Sequence, residues 1–373
     1  MDNTLGISIM EHFSSVSDPR ILLKTSHKLN EIITITLCAV IAGADDWVEI
    51  ADFGEAKEEW FKTFMDLPAG IPSHDTFGRV FSLINPREFE KSFAQWIQTF
   101  TREPGIVAID GKTVRRSHDR ANALSAIHMV NAWAVESGLV LGQVKTHKKS
   151  NEIKAIPELL KVLDLQGCTV TIDAMGCQKE IVREIVQQGA EYVISLKGNQ
   201  GNLHKDVELF FEKAREENYH EIPHETRETV DGGHGRIETR RYTLISDTTW
   251  FSEHSKWQGL KSFGMVESER QVGDEATHET RYYITSLSSD IKKFADAARG
   301  HWGVENSLHW CLDIAFREDD SRARLGNESE NLAILRRFAL SLIKQDRSRK
   351  SGVKASRKRA GWDIDYLAHL LNL

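Results

Sequence analysis

The chain has 373 residues, of which 40% are hydrophobic and 28% charged, and its formal net charge is −7. Such a composition allows a core of useful size in one large domain with additions, or in two to three units. The negative balance excludes a uniformly basic nucleic-acid binder, so any contact with nucleic acid falls to local patches.

The four cysteines, Cys38, Cys168, Cys177 and Cys311, form no CxxC pair, which argues against a structural zinc site and suits a reducing compartment. Met1 to Ser17 has no basic region followed by an apolar run, and Ile32 to Ala44 is shorter than the about 20 residues needed to span a bilayer. The expectation is a cytoplasmic protein, nucleoid-associated when bound to DNA.

In chain order, residues 1–100 read as a helical N-terminal domain with possible DNA binding. Leu29, Ile32, Ile33, Leu37, Val40 and Ile41 recur at helical spacing; Trp60, Phe61 and Phe64 make a second apolar face, and Phe77, Val80, Phe81 and Ile84 a third, with Ser73 as N-cap. The texture changes at Pro104–Gly105. Strands are expected over 105–111, 126–135 and 138–146, the last two joined by the hairpin signal Glu136-Ser137-Gly138. A helix over 152–163, a strand over 168–172, a helix over 179–188 closed by Gly189, and a strand over 191–196 follow. This is the order of a mixed α/β sheet with an antiparallel start and βα crossovers. A helix over 203–216 and strands over 236–246, 262–272 and 279–287 belong to a β-rich insertion, 201–287. Helices over 294–316 and 328–343 return to the core, which is thus expected over 104–200 and 288–343. Residues 344–373 read as a basic tail, either a flexible DNA arm or a solubilising segment.

Asp110 and Asp173 each end an apolar strand. Two such strands side by side bring two carboxylates together, which is unfavourable unless a cation lies between them. Hard divalent cations take oxygen ligands, which explains aspartate. The best source of a third ligand is the segment from Arg299 to Trp310, where His301, Glu305 and His309 fall at i, i+4 and i+8, on one face of an α-helix. A zinc site from those three is the competing reading, although HExxH spacing is absent. Two ions about 3.5–4 Å apart suit in-line phosphoryl transfer without a covalent nucleophile. There is no GxxxxGK[ST] loop, which argues against ATP hydrolysis.

Val107-Ala-Ile-Asp-Gly-Lys-Thr113, Thr171-Ile-Asp-Ala-Met-Gly-Cys-Gln178, Ser195-Leu-Lys-Gly-Asn-Gln200 and His301-Trp-Gly-Val-Glu-Asn-Ser-Leu-His-Trp310 together resemble the motifs of DDE insertion-sequence transposases, of the H-repeat-associated type found with Rhs elements. The resemblance runs over nearly the whole chain. It implies a retroviral-integrase-like (RNase H-like) core with a β-rich insertion. Asp110, Asp173 and Glu305 match the catalytic, metal-holding triad, with magnesium or manganese, two ions, as cofactor. The 132 residues from Asp173 to Glu305 leave room for the insertion. Where many relatives carry a Tyr-x2-Arg-x3-Glu-x6-Lys pattern, this chain has Ala298, His301 and Leu312 around Glu305. Asp313, Glu318, Asp319 and Asp320 stand nearby as acids that could assist, or as a solvated turn. Lys197 and Gln200 match a segment expected near DNA. Lys112, Arg115 and Arg116, and Lys148 and Lys149 beside Lys145 and His147, are candidate phosphate contacts. The implied partner is double-stranded DNA, both terminal inverted repeats and target, handled by a homodimer assembled on it. The implied activity is metal-dependent cleavage and strand transfer; a nuclease on the same core, or an inactive DNA-binding remnant, are the alternatives.

Overall fold

The apolar stripe that begins at Leu29 folds as helix α1 (Leu29–Ile41) in the computed structural model, which describes residues 11–21, 25–98, 105–118, 125–146, 151–233 and 235–371. Further helices are α2 (Trp47–Ala56), α3 (Glu58–Phe61), α4 (His74–Leu83) and α5 (Pro86–Gln98). Strands β1 (Ile106–Thr113), β2 (His128–Ala134) and β3 (Leu139–Thr146) come next. Then follow α6 (Glu152–Leu160), β4 (Thr169–Ile172), α7 (Lys179–Gln187), β5 (Glu191–Leu196) and α8 (Asn202–Glu216). Strands β6 (His224–Gly233), β7 (Arg236–Ile245), β8 (Ser262–Val272) and β9 (Glu275–Thr285) precede α9 (Ile291–Val304), a π-helical turn (Glu305–His309), α10 (Trp310–Phe316), α11 (Glu328–Gln345), α12 (Val353–Trp362) and α13 (Ile364–Leu371).

The chain divides into two compact units, each assembled from separated segments: residues 1–102, 111–151 and 305–373 in the first, and 103–110 and 152–304 in the second. The sequence-based partition into N-terminal domain, core, insertion and tail follows different lines.

In the first unit α1 is buried at every position but Asn30, and α11 is buried from Asn331 to Ile343. A helix buried all round belongs to a core rather than a surface. Phe338 of α11 stands 4.1 Å from the Trp96 ring, 4.8 Å from Phe93 and 5.8 Å from Phe13, measured between centroids. Burying each of these rings contributes on the order of 2 kcal/mol. Asn331 ties α11 to the end of α4, its amide donating to the carbonyls of Phe81 and Ile84 at 2.8 and 3.0 Å. Ser73 occupies the N-cap of α4 as expected, but its hydroxyl meets Thr76 Oγ1 at 3.1 Å and caps no backbone amide. Asp46 does cap α2, accepting from Glu49 N at 3.0 Å. Strands β2 and β3 form the expected antiparallel hairpin, from His128↔Thr146 to Ala134↔Leu139.

The C-terminal segment is folded rather than a flexible arm or solubilising tail. It makes α12 and α13, and Arg357 is 3% exposed. The guanidinium of Arg357 donates to the Val40 carbonyl at 2.8 and 3.0 Å and to that of Ala44 at 3.1 Å, capping the end of α1. Asp45 Oδ1 completes the pairing at 3.1 Å. Charge runs in sequence do not reveal such burial, because the fixed carbonyls at a helix end are invisible to composition.

The second unit carries a mixed sheet in the order β1-β4-β5-β9-β8-β7-β6. β1, β4 and β5 are parallel, with Ile106↔Thr169 through Ile109↔Ile172 and Thr169↔Glu191 through Ile172↔Ile194. The remaining pairs are antiparallel, beginning with Val193↔Thr285 between β5 and β9. The segment expected as an insertion therefore extends this sheet edge to edge. Its outermost strand, β6, is absent from the sequence expectations, since His224–Gly233 holds one aliphatic residue and is mostly exposed. Gly264 of β8 admits α9 against the sheet: a Cβ there would lie 2.3 Å from the Phe294 ring.

Candidate active site

The parallel register places the two strand-end aspartates side by side. Ile109 pairs with Ile172, so Asp110 and Asp173 are the next residues on neighbouring strands about 4.8 Å apart. Both are half-buried. Asp173 Oδ1 accepts from Met175 N at 3.0 Å and Gly176 N at 3.3 Å, which fixes its carboxylate on the turn after β4. Gly176 is required there: a Cβ would fall 2.2 Å from Ile172 Cγ2.

A third group joins from α9. His301 Nδ1 lies 2.8 Å from Thr171 Oγ1, and Thr171 shares its strand face with Asp173. Burial pushes the imidazole down to about 4 against the pull of the Asp173 carboxylate, and the positive charge of Arg281 lowers it further. His301 is thus neutral at neutral pH. The sequence placed His301 on a helix face with Glu305 and in the family motif, but gave Thr171 no role of its own; strand alternation, which puts 171 and 173 on one face, was the available signal.

Lys197 follows β5 and is exposed, and its charge also acts on His301. Gln200 is committed within the protein, its amide donating to the Cys177 carbonyl at 2.5 Å. Asn199 Nδ2 donates to the Ala174 carbonyl at 2.7 Å. These two bonds lash the 197–200 turn to the turn that holds Asp173.

Glu305 is exposed and opens the π-helical turn at the start of the first unit's last segment. π-turns break the i→i+4 ladder and recur at functional sites. The same turn removes the geometry behind the zinc reading, because one extra residue per turn takes His309 off the face shared by His301 and Glu305. Among the described residues, no three His, Cys, Asp or Glu side chains form a group that could hold a metal ion. The donor chemistry of Asp110 and Asp173 fits a hard divalent cation.

Several basic candidates change character. Lys112 is 6% exposed, with its ammonium 2.7 Å from Asp313, 3.2 Å from Asp319 and 3.7 Å from Glu318. It is an internal counter-ion, not a phosphate contact. Nor are those acids a solvated turn: Glu318 is fully buried and meets Arg337 Nη1 at 2.6 Å. Arg115 and Arg116 remain exposed, 3.2 Å from Asp319 and 3.4 Å from Asp320. Lys148 and Lys149 lie outside the described residues.

Residues 101–342 match the family described as "Transposase DDE domain", and residues 10–97 match its associated region, "DDE_Tnp_1-associated". This chain belongs to the DDE transposase family. It is 44% identical to the Escherichia coli O157:H7 protein named "Putative transposase YncI" over 370 residues, covering 98% of this chain and 94% of that one. It is 40% identical to "H repeat-associated putative transposase YhhI" of Escherichia coli K12, covering 97% of each. A solved piggyBac transposase synaptic complex with hairpin DNA aligns with 100% of this chain and 81% of its own, at 10% identity and a TM-score of 0.46, a likeness too distant to bear on the site. Among the described residues, no helix is long and apolar enough to cross a membrane.

Proposed function

We propose that the chain cuts DNA at the ends of an insertion element and joins those ends to a target, with Asp110, Asp173 and Glu305 as its catalytic carboxylates on an RNase H-like core. The observation that carries this reading is the register Ile109↔Ile172, which sets two aspartates at adjacent parallel strand ends. The parallel β1, β4 and β5 with helical crossovers, and the antiparallel β2–β3 hairpin, support the core assignment. Glu305 rests on family resemblance and on its π-turn.

Magnesium or manganese ions held by these carboxylates would supply activation of the attacking oxygen and neutralise charge on the leaving 3′-oxygen. The protein's own part is positioning. The turn amides aim Asp173, neutral His301 braces α9 against β4 without adding charge, and Lys197 offers a cation to a DNA phosphate. Joining two ends calls for two copies, so the working form is a homodimer on DNA.

The test is purified protein with magnesium, an end-bearing duplex and a target plasmid. The wild type should nick the ends and yield joined products. Asp110→Asn and Asp173→Asn should each abolish nicking while still binding the duplex, and Glu305→Gln should do the same. Wild-type cleavage by any of the three removes that residue from the mechanism. Nicking without joined product would leave a nuclease; an inert wild type that binds DNA would leave a remnant.

A further inference from the structure

Asp173 stands at the head of a short 3-10 turn, Ala174–Gly176, that leads from β4 towards α7. Its Oδ1 is taken by the amides of Met175 and Gly176, and among the described residues no donor meets Oδ2. That second oxygen is the one open to a cation. Where it points depends on the turn, and a turn this short has few bonds of its own. Gly176 N donates to the Asp173 carbonyl at 3.1 Å and Cys177 N to that of Ala174 at 3.3 Å. The rest of the hold comes from the neighbouring strand. After β5, residues 197–200 close on themselves, with Gln200 N donating to the Lys197 carbonyl at 3.0 Å and Gly201 N to that of Gly198 at 3.1 Å. Gly201 leaves this turn at φ +49° and ψ −110°, a backbone that favours glycine. So shaped, it presents two side-chain amides to the Asp173 turn: Asn199 reaches the carbonyl of its first residue, Ala174, and Gln200 that of Cys177, just past its last. Cys177 is fully buried, which makes its carbonyl costly to leave unpaired.

We propose that Asn199 and Gln200 are positioning residues for the Asp173 carboxylate, and not contacts to a substrate. The two amides pin the turn at both ends, so the carboxylate is held from the end of β5 as well as from its own strand. A turn released from them keeps Asp173 in the chain but lets Oδ2 swing away from its partner across the strand ends. Groups that orient a ligating carboxylate in this way are worth about 10–100-fold in metal affinity or activity. Lys197, in the same segment, is exposed, whereas the amides of Asn199 and Gln200 are spent on backbone carbonyls. The segment thus divides its work between a free cation and two struts. The proposal rests on the reading of Asp173 as a ligand to a divalent cation, and adds to it the residues that aim that ligand.

The test reads metal binding and DNA binding separately. Binding of Mn2+ to the purified chain is followed by loss of the free-ion electron paramagnetic resonance signal, and binding of an end-bearing duplex by fluorescence anisotropy with no metal added. Asn199→Ala and Gln200→Ala should each raise the Mn2+ dissociation constant about 10-fold, and the double variant about 100-fold, with duplex affinity unchanged. In the cleavage assay the same variants should need correspondingly more metal for half-maximal rate and regain the wild-type rate at saturating metal. Asn202→Ala, exposed at the start of α8, should match the wild type throughout and serves as control. A loss of rate that saturating metal does not recover overturns the proposal, since it would mark damage to the fold. So does a loss of duplex affinity with an unchanged metal requirement, which would make the two residues DNA contacts. Asp173→Asn separates this proposal from the reading beneath it. Mn2+ binding that is indifferent to Asp173→Asn removes Asp173 as a ligand, and both fall. Binding that depends on Asp173 but is untouched by the Asn199 and Gln200 variants overturns the positioning role alone. A wild type that holds Mn2+ through Asp173 but cuts nothing overturns the proposed reaction and leaves the positioning role standing.

Discussion

Lys112 sits two residues after a strand-end aspartate, where sequence suggests a phosphate ligand, yet its charge is spent on three acids from the far end of the chain. The same cluster contains Arg337 and Glu318, both 0% exposed at the side chain. Arg337 also donates to Asn131 Oδ1 at 2.6 Å. Arg337→Ala would strand a buried carboxylate, and the cost of breaking such a pair is about 3–5 kcal/mol. A urea midpoint unchanged from wild type would show that Glu318 finds another partner. Burial acts on Glu318 in the opposite sense to its neighbours, and the Arg337 and Lys112 charges win, holding its carboxyl below the usual range. Its contribution is therefore present above its unfolded value of about 4.3 and is lost as pH falls through the lower folded value. Glu90 behaves oppositely. Burial raises it to about 7, although Gln143 donates both its backbone and side-chain N–H to it at 2.8 and 2.9 Å. The folded state then holds the extra proton between about 4.3 and 7, so this residue makes stability fall as pH rises through that window. Gln143 Oε1 is buried without a partner among the described residues. Glu90→Gln, with the Gln143 amide turned over, keeps the bond from Gln143 N and lets the new amide donate to Gln143 Oε1. Its unfolding midpoint should vary less between pH 5 and 8 than that of wild type.

At the scale of elements, what was legible depended on hydrophobic contrast. The apolar strands β1, β4 and β5, and the helices between them, were expected close to where they lie, because short β-branched runs bounded by glycine and helical stripes both stand out. The polar edge strand β6 carries no such contrast. Helix α9 was expected to run on to Phe316, and the π-turn inside it leaves no compositional trace. The tail read as charge alone, whereas Arg357 is the cap on the last carbonyls of α1. Each hydrogen bond from a charged group to those buried carbonyls is worth about 1.5–3 kcal/mol. Arg357→Ala should lower stability by about 3 kcal/mol, read by chemical denaturation. A chain ending at Gln345 should lose more, because Leu367 and Leu370 are fully buried in α13. Retention of the full unfolding midpoint after that truncation would restore the idea of a dispensable tail.

For the whole molecule, the site and the fold were legible to different degrees. The aspartate pair followed from where two strands end, and the register bore out their adjacency. Glu305 came mostly from resemblance, and the π-turn that supports it leaves no trace in the sequence. Periodicity reports which face of an element is buried but not which segment covers it, so a first unit stitched from three distant pieces was beyond reach of the sequence. That stitching has a consequence for residues 10–97, which match a family region of their own. Their helices form no closed core by themselves. Phe93 and Trp96 pack on Phe338, the end of α1 is capped by Arg357, and the carbonyls at the end of α4 accept from Asn331. An isolated 1–102 fragment would expose all of these, together with the largely apolar α1, to water. The cost of ordering the chain would not be offset by the burial left to it. The fragment should therefore show a broad unfolding transition and poorly dispersed amide resonances. Adding 111–151 and 305–373 in trans, or expressing the full chain, should restore cooperativity. A sharp, cooperative melt of 1–102 alone would show that the family's associated region is a domain in its own right, and that its packing on α11 is docking and not core formation.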